Sequence, residues 1–552
     1  MVIATDEPDI ALWDEVAVLE DDATEDGMPP EVPDDFWAGW HDGLPDEAFQ
    51  PDALRSARVG QAERLEKAKR APTEIEFLNR RLVSPEFRQQ FVLAFPQAAQ
   101  RPPLMRLALY LLGATWVDEA SGTVVAPASL LAGMAERVPQ FVQRNFVAQE
   151  LLDEFQAAVC PLNVSEHCYT TGEARTLTAR WPSGSGIEAA WAEEARHPFK
   201  GRAREAAVSF VKGQPYRQRS QDQGVKRVAA EVAETAGDHP GQALLELLNG
   251  QKATVFRRLV DRNLEGAQDE IQRIVKRKED GTVDEARTRR ARAWSLNILH
   301  EVCSNPMPMY EPSPQGRTVR LFPVGASYLR LPRAVRKALL AGTWEFDLAN
   351  AQLAIAAREW QIPDIQCFLR TGRSVWAELA VALGREVDEV KPTLKPALYS
   401  ILFGAGRKRL RALLVKGEAA GEGLGQQGAT RFFRHPLIQA LWEARQRRFE
   451  ELQAAGTATT VFGKVIPVTT HEEARSALAQ CAQAVELQVL GPVEHLVRDS
   501  SDMVLVAWQH DGFTLHFTNQ SKAKQLARRV TKAVSAEIEQ LGLLTRLEVV
   551  QL

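Results

Sequence analysis

Residues 504–517 read VLVAWQHDGFTLHF, with a histidine and an aspartate in the middle of an apolar run. The valine, leucine, phenylalanine and threonine residues on both sides favour β-strands. Gly512 directly follows Asp511, where it could allow a tight turn between two strands. Asp511 is then either a turn residue, since Asp-Gly is the commonest hairpin signal, or one half of a metal site. A second carboxylate in a matching position would favour the metal site.

The segment TWEFDLANAQLAIAAREW, residues 343–360, supplies that second carboxylate. Trp344 to Leu348 has the pattern of a strand, and a helix is predicted from Asn350 onward. Asp347 therefore lies at a strand end. Two aspartates on neighbouring strands could hold a pair of divalent ions roughly 3.5–4 Å apart, the arrangement used for phosphoryl displacement. Mg²⁺ suits such a site because it prefers few carboxylates, several waters and substrate phosphates.

Between the two aspartates lies KPTLKPALYSILFGAGRKRLRALL, residues 391–414. Two ammonium groups and two rings recur at every fourth position: Lys391, Lys395, Tyr399 and Phe403. On a helix this spacing places them along one face, where the lysines could hold a triphosphate and the rings a base or sugar. The alternative is an amphipathic surface helix with aromatic packing. Pro392 can start this helix, whereas Pro396 should kink its first turn.

The charge distribution divides the chain. Of its 72 Asp and Glu, 17 lie in residues 1–54, which contain no Lys or Arg. The rest of the chain therefore has 55 acidic and 67 basic residues. A basic chain behind an acidic N-terminal tail favours a nucleic-acid partner for the basic part. The alternative is an ordinary solvated surface that follows a disordered N-terminal segment.

A chain of 552 residues is too long for a single hydrophobic core, so two to four domains are expected. Residues 1–58 are predicted to be an acidic, mostly disordered tail, 59–250 a helical accessory domain and 251–305 two basic helices. From 306 to 552, short strands alternate with helices, which predicts an α+β fold with a final strand, LEVVQL. The sequence contains no run of 18 apolar residues, so no membrane span is expected. The five cysteines form no CxxC pair, which favours reduced thiols in a cytoplasmic protein.

The order of these segments resembles the polymerase domain of family A DNA polymerases, the bacterial polymerase I type, over about 250 residues. The family's strand-to-helix motif D-Y-S-Q-x-E-L-R is matched by D-L-A-N-A-Q-L-A from Asp347. Its fingers helix R-x3-K-x3-F/Y-x3-Y-G is matched by residues 391–404, and its H-D-E hairpin by residues 510–512. Its upstream T-x-T-G-R element is matched by S-P-Q-G-R, which ends at Arg317. The resemblance implies a right-hand polymerase with palm and fingers in 306–552 and a thumb in 251–305.

The same resemblance implies site roles for the charged residues. Asp347 and Asp511 would bind two Mg²⁺ ions, and Lys395 would contact the incoming triphosphate and protonate the pyrophosphate leaving group. Lys391 takes the position of the family's arginine. It would bind phosphate, but without the two parallel hydrogen bonds that an arginine can donate.

The remaining implied contacts involve the nucleotide and the primer. Tyr399 would lie beneath the nucleotide sugar, and Phe403 would stack near the templating position. Gln352 takes the position of the family's glutamate, which blocks a ribose 2′-hydroxyl. Arg317 and His510 would contact the primer terminus or its backbone.

Three departures bear on these roles. Phe403 replaces a tyrosine and Gln352 is uncharged, so sugar discrimination is expected to differ. Gly512 stands where the family has glutamate. Glu486 and Leu490 stand where the family's minor-groove asparagine and glutamine are expected, so base-pair checking should be built differently.

The predicted function is template-directed nucleotidyl transfer by a DNA-dependent DNA polymerase, with primer-template DNA and deoxynucleoside triphosphates as partners. A further partner that stays open is a replication protein that binds the N-terminal region. No strand carries D-x-E with matching downstream acids, so no 3′→5′ exonuclease is expected.

Two alternatives stay open. One is a single-subunit RNA polymerase or primase, since such enzymes share the palm and often read H-D-S-F in the third motif. Against it stand the compact separations of 48 residues from Asp347 to Lys395 and 116 from Lys395 to Asp511, and the large side chain of Gln352. The other alternative is an inactive polymerase-fold protein that only binds nucleic acid.

Overall fold

The structure is a computed structural model. It describes residues 75, 78–79, 81–113, 117–118, 123–136, 144–169, 172–196, 199–216, 239–277, 281–313, 318–324, 327–416 and 423–552. The predicted acidic tail, residues 1–58, lies outside these residues.

The N-terminal unit combines helices with an antiparallel sheet. It contains β1 (Leu82–Val83), α1 (Pro85–Ala94), α2 (Pro96–Ala99), α3 (Pro102–Gly113), β2 (Val117–Asp118), β3 (Thr123–Pro127), α4 (Ala128–Met134), α5 (Arg144–Ala158), β4 (Leu162–Tyr169), β5 (Gly172–Ala179), α6 (Ile187–Arg196), α7 (Gly201–Ala206) and β6 (Val208–Ser209). Strands β2, β3, β5 and β4 form one sheet in that order. The prediction of a helical accessory domain is therefore incomplete. The strands β4 and β5 read LNVSEHCY and GEARTLTA, whose polar residues hide the apolar alternation typical of a strand.

Three helices connect this unit to the C-terminal part: α8 (Gln242–Asn249), α9 (Ala253–Arg273) and α10 (Glu285–Ser304). The helices α9 and α10 occupy the predicted basic segment 251–305. Their apolar faces share a core with Val335, Val504 and Val506 from the C-terminal part. They therefore lie against the C-terminal sheet, and their role as a thumb stays a prediction.

The C-terminal part mixes helices and strands, as predicted. It contains β7 (Met309–Pro312), β8 (Leu321–Val324), a 3-10 helix (Tyr328–Arg330), α11 (Arg333–Leu339), β9 (Trp344–Leu348), α12 (Ala351–Glu359), α13 (Pro363–Arg370), α14 (Val375–Leu383), α15 (Val387–Leu402), α16 (Arg407–Lys416), α17 (Gly425–Arg434), α18 (Pro436–Ala455), β10 (Thr457–Thr459), β11 (Val465–Pro467), α19 (His471–Val489), α20 (Gly491–Arg498), β12 (Met503–Gln509), β13 (Gly512–Phe517), α21 (Ala523–Gln540) and β14 (Leu547–Gln551). The final strand is the one predicted from LEVVQL.

The central sheet has the antiparallel order β12-β13-β9-β14. Phe346 on β9 and Phe513 on β13 are buried and stack with ring centroids 4.8 Å apart. The core around them includes residues of α12, α19, α20 and α21 on one side, while Val504 and Val506 of β12 face the core of α9, α10 and α11. The sheet is thus buried between two helical layers, which makes the ends of its strands rigid positions for functional side chains.

A separate helical core joins α12 to α19. Buried residues of α12, α15, α18 and α19, among them Ala357, Leu394, Leu441 and Ala477, belong to one cluster. This cluster fixes the long helix α15 relative to α12, which directly follows β9. Among the described residues, no helix combines the length and the apolar character needed to cross a membrane.

Candidate active site

The hairpin between β12 and β13 has a two-residue turn. Gln509 pairs with Gly512, so the turn consists of His510 and Asp511. The sequence interpretation placed Gly512 in the turn, but Gly512 is the first residue of β13. His510 takes the positive backbone angle instead, with φ of 36°. Such a conformation in a non-glycine residue costs on the order of 1–3 kcal/mol and is concentrated at functional sites.

Gly512 is required by the close approach of β9. A Cβ atom on this residue would lie 2.7 Å from the carbonyl oxygen of Phe346 and 3.1 Å from Oδ1 of Asp347. Since real Cβ atoms almost never approach another atom within 3.0 Å, no larger residue fits without a backbone shift. The missing side chain leaves the space into which the Asp347 carboxylate extends. A glutamate, which the resemblance leads one to expect at this position, would collide with β9.

The structure brings Asp347 and Asp511 together. Asp347 is paired with Gly512 across β9 and β13, and the backbone N–H of Leu348 donates a hydrogen bond of 3.0 Å to the carbonyl oxygen of Asp511. The Asp347 side chain is exposed and Asp511 is half-buried. The pair therefore sits at an accessible strand end, held by main-chain pairing rather than by loop packing.

These two carboxylates fit the demands of Mg²⁺. Among the described residues, no group of three or more His, Cys, Asp or Glu side chains could hold a metal by itself. Mg²⁺ does not need one, because it keeps several waters and is bound by one or two carboxylates with substrate phosphates. The fit rests on Gly512, whose missing side chain leaves room for the Asp347 carboxylate directly after the turn that carries Asp511.

A buried polar network lies beside the aspartates. Glu486 on α19 is 1% exposed, forms an ion pair of 3.1 Å with Nη2 of Arg320, and accepts a hydrogen bond from Nε2 of Gln352. Gln352 itself is 4% exposed. Burial raises the pKa of Glu486 to about 6; Arg320 opposes the rise, and the negative charge of Asp511 adds to it.

This network changes the picture of two predicted residues. Gln352 is present near the aspartates, but its amide is held by Glu486 instead of standing alone. Glu486, predicted at a minor-groove position, is buried and engaged within the protein. Arg320 was missed by the sequence interpretation, and its only sequence signal is a basic residue directly before an apolar strand.

His510 packs against β8. Its ring meets that of Phe322 edge-on, with centroids 5.5 Å apart. Desolvation by the surrounding protein lowers the pKa of His510 well below its ordinary value, and the positive charge of Arg320 lowers it further. The imidazole is therefore neutral at pH 7, and it can act as a hydrogen-bonding group but not as a cation. Arg317, the other predicted primer contact, lies outside the described residues.

The helix α15 carries the predicted lysine and aromatic face. Nζ of Lys395 lies 6.0 Å from the centroid of the Tyr399 ring, and Tyr399 stacks with Phe403 at 6.4 Å and 16°. Lys391 and Lys395 are both partly exposed on this face. Phe403 is the residue directly after the helix.

The helix begins earlier than the prolines indicated. It starts at Val387, so Pro392 and Pro396 both lie inside it and the prediction that Pro392 starts the helix is wrong. Asp388 and Glu389 supply negative charge to the first turn, which favours a helix start there. The missing N–H groups of both prolines are tolerated because the buried face of α15 packs into the core it shares with α18.

Arg445 fixes the far end of this helix. It is 4% exposed, and its Nη1 donates hydrogen bonds to the carbonyl oxygens of Ile401 at 3.2 Å and Ala405 at 2.9 Å. Its guanidinium lies 3.9 Å from the Trp442 ring. Burial lowers the pKa of Arg445 to about 10, and the nearby Arg475 lowers it further. A cation at a helix C-terminus is stabilising, so Arg445 acts as a cap for α15.

No protein-family model and no curated protein matches this chain. Among solved structures, it is similar to the POL domain of Pol1 from M. smegmatis in complex with a DNA primer-template and dNTP. The match covers 81% of this chain and 80% of that chain, with 12% sequence identity and a TM-score of 0.36. A likeness at this level assigns neither a family nor an activity to the chain.

Proposed function

We propose that the chain is a template-directed nucleotidyltransferase, a DNA-dependent DNA polymerase that uses two Mg²⁺ ions. The observation that carries the proposal is the pairing of Asp347 with Gly512, next to Asp511, at an accessible end of a buried sheet. A purely structural hairpin has no need for an exposed carboxylate in the space above a glycine. The order of the sequence motifs around this site supports the same function.

Asp347 and Asp511 would hold the metal ions. Bound Mg²⁺ would supply activation of the primer 3′-hydroxyl and stabilisation of charge on the transferring phosphoryl group. The residues of the chain do the positioning. The two carboxylates would hold the ions relative to the sheet. Pairing with Gly512 positions the main chain of Asp347, and the hydrogen bond from Leu348 positions the main chain of Asp511.

The helix α15 would bind the nucleotide. Lys391 and Lys395 would attract the triphosphate as point charges, and Lys395 would donate a proton to the pyrophosphate leaving group. The stacked rings of Tyr399 and Phe403 offer a flat apolar surface for the sugar and base. Through the size of its side chain, Gln352 would limit the space at the sugar and so set the preference for deoxynucleotides.

The partners that follow from this proposal are primer-template DNA, deoxynucleoside triphosphates and, through the N-terminal unit, a replication protein. We also propose a cytoplasmic location and the lack of a 3′→5′ exonuclease. The sheet of the N-terminal unit does not alter the latter, since its strands β4 and β5 carry no D-x-E.

The single-subunit RNA polymerase or primase remains the second candidate, and one observation favours it. The Gln352 amide is tied to Glu486 and 4% exposed, so it projects less into the site than a free side chain would. A less prominent side chain at the sugar position would admit a ribose more readily.

The test is extension of a labelled primer on a DNA template with Mg²⁺, with dNTPs and rNTPs offered in parallel and an unprimed template as a third arm. Extension with dNTPs alone supports the DNA polymerase. Extension with rNTPs, or synthesis on the unprimed template, would replace it by the RNA polymerase or primase. No synthesis in any arm, with retained DNA binding, would leave the inactive nucleic-acid-binding protein.

A further inference from the structure

The helices α16 and α17 form a strongly basic part of the surface, outside the candidate active site. The stretch 407–434 contains both helices and has seven basic residues and two acidic ones. The two acids, Glu418 and Glu422, lie between the helices, outside the described residues. The helices themselves therefore carry positive charge and no negative charge.

The cations of α16 cover the side of the helix that faces solvent. Arg407, Lys408 and Arg409 are exposed and Arg411 is half-buried, whereas Leu410 is fully buried. The helix α17 adds two exposed arginines. Six cations are thus in contact with solvent and form no ion pair with a described carboxylate: Arg407, Lys408, Arg409, Arg411, Arg431 and Arg434.

Elsewhere on the surface, arginines are balanced by a nearby acid. Arg385 forms an ion pair of 3.3 Å with Glu389, and Arg498 forms one of 2.7 Å with Glu494, each over four residues. The helices α16 and α17 contain no such acids, so their cations do not stabilise them through local ion pairs. An excess of one charge on a surface favours a partner of the opposite charge.

Two arginines of α16 are held in place although they repel each other. Arg407 and Arg411 are four residues apart, a spacing at which like charges destabilise a helix. Their guanidinium groups lie 5.0 and 5.9 Å from the centre of the Phe433 ring on α17, and Nη1 of Arg411 donates a hydrogen bond of 3.3 Å to Oε1 of Gln426. A bound anion would relieve the repulsion, and its binding would require little further ordering of these side chains.

The composition of this surface favours phosphates as the anions. Among the described residues of α16 and α17, no large apolar side chain is exposed. Protein interfaces carry aromatic and apolar residues at their centre, and helices that lie on membranes carry them along one face. Nucleic acid needs neither, because cations that neutralise its phosphates supply most of the non-specific affinity.

The neighbouring helix α15 favours an unpaired strand over a duplex. The helix α16 begins at Arg407, four residues after Phe403, whose ring stacks with that of Tyr399. Both rings are half-buried and so reach solvent. Proteins that bind single strands combine cations along the backbone with rings on which the bases stack. The end of α15 and the outer side of α16 supply these two elements.

We propose that α16 and α17 bind the phosphate backbone of an unpaired nucleic-acid strand. The cations of α16 contact the phosphates, and Arg434 extends the surface onto α17. The identity of the strand rests on the proposed function: it is the template where it extends beyond the nucleotide-binding face of α15.

The test is the binding of a labelled oligothymidylate to the full chain without divalent metal, followed by fluorescence anisotropy over a series of KCl concentrations. For a single strand, each phosphate contact contributes about 0.7 to the slope of log K against log salt concentration. The double variant Arg407→Gln/Arg411→Gln should therefore reduce this slope by about 1.4 and weaken binding by about tenfold or more at low salt.

A second double variant keeps the test valid if the first does not fold. Lys408→Gln/Arg409→Gln removes two exposed cations that make no hydrogen bond or ion pair with the described residues. It should reduce the slope by about 0.7 or more. The matched control is Arg385→Gln/Arg498→Gln, which changes the net charge equally on surfaces where an acid is already present, and it should leave the slope unchanged.

Four results would overturn the proposal: an unchanged slope in the folded α16 variants, an equal reduction in the control, an equal loss of binding to a blunt duplex, or equally tight binding of polyglutamate. The last result would indicate an acidic protein as the partner. Because the measurement needs no catalysis, it separates this inference from the proposed function. Weakened strand binding in the α16 variants without primer extension by the wild type would support the surface and refute the polymerase. Normal primer extension with an unchanged slope would refute the surface alone.

Discussion

Gly512→Ala is the substitution for which the structure makes the sharpest prediction. The added Cβ would lie 2.7 Å from the Phe346 carbonyl oxygen, which is main chain and cannot rotate away, and 3.1 Å from Oδ1 of Asp347. Ordinary contacts begin near 3.4 Å, so β9 and β13 must separate by several tenths of an ångström. Overpacking of this kind costs about 1–3 kcal/mol of the free energy of unfolding.

The same movement displaces Asp347 from Asp511. Displacements of about 1 Å at a catalytic centre reduce rates by about 100-fold, so a shift of several tenths should lower primer extension by about tenfold or more. The assays are urea unfolding and single-nucleotide primer extension on the same preparations. Gly266→Ala is the matched control, because nothing lies within 4 Å of its Cβ position on α9 and alanine there should stabilise the helix by about 1 kcal/mol. Full stability and full activity of Gly512→Ala would refute the assigned strand register and the reasoning built on it.

Three further predictions concern the residues around the aspartates. Glu486→Gln mimics the protonated acid. Because burial raises the pKa of Glu486 in the folded state, the protonated carboxyl stabilises the fold below the pKa of the unfolded chain. This stabilisation is lost as the pH rises through about 6. Urea unfolding without divalent metal should therefore show the wild type losing about 2 kcal/mol relative to the variant between pH 4 and pH 7, and a constant difference would contradict the burial of this carboxyl. Gln352→Ala should raise the use of rNTPs relative to dNTPs in single-nucleotide extension, and an unchanged ratio would exclude a role at the sugar. Lys395→Ala should lower extension by about 100-fold through loss of phosphate contact and proton donation, while Lys532→Ala, an exposed lysine of α21, should leave it unchanged; equal effects would argue against a specific role for Lys395.

Local sequence patterns predicted the elements of the candidate site but not the turn between them. Residue types that favour strands predicted β9, β12 and β13, and the four-residue spacing of Lys391, Lys395 and Tyr399 predicted α15. The Asp-Gly pair indicated a turn at 511–512, whereas the turn is at 510–511. The difference arises because Gly512 is selected by the neighbouring strand, whose carbonyl oxygen leaves no room for a side chain, and not by the turn.

The polar network could not be predicted for a different reason. Gln352 and Glu486 are separated by 134 residues, and Arg320 and Glu486 by 166. Contacts over such separations depend on the packing of α12, α19 and the segment before β8, which no local pattern specifies. The start of α15 shows the same limit, because its packing in a shared core outweighs the local cost of two prolines.

The direct test of the central claim is the binding of Mn²⁺, as a visible substitute for Mg²⁺, in the presence of a deoxynucleoside triphosphate. It would be followed by electron paramagnetic resonance for the wild type, Asp347→Asn, Asp511→Asn and the double variant. Asparagine keeps the size of the side chain, and the main-chain hydrogen bond from Leu348 to Asp511 does not depend on it. We predict that each single variant loses most of the nucleotide-dependent Mn²⁺ binding and that the double variant loses little more, because both carboxylates serve one site. Unchanged binding in either single variant would contradict a metal site shared by Asp347 and Asp511.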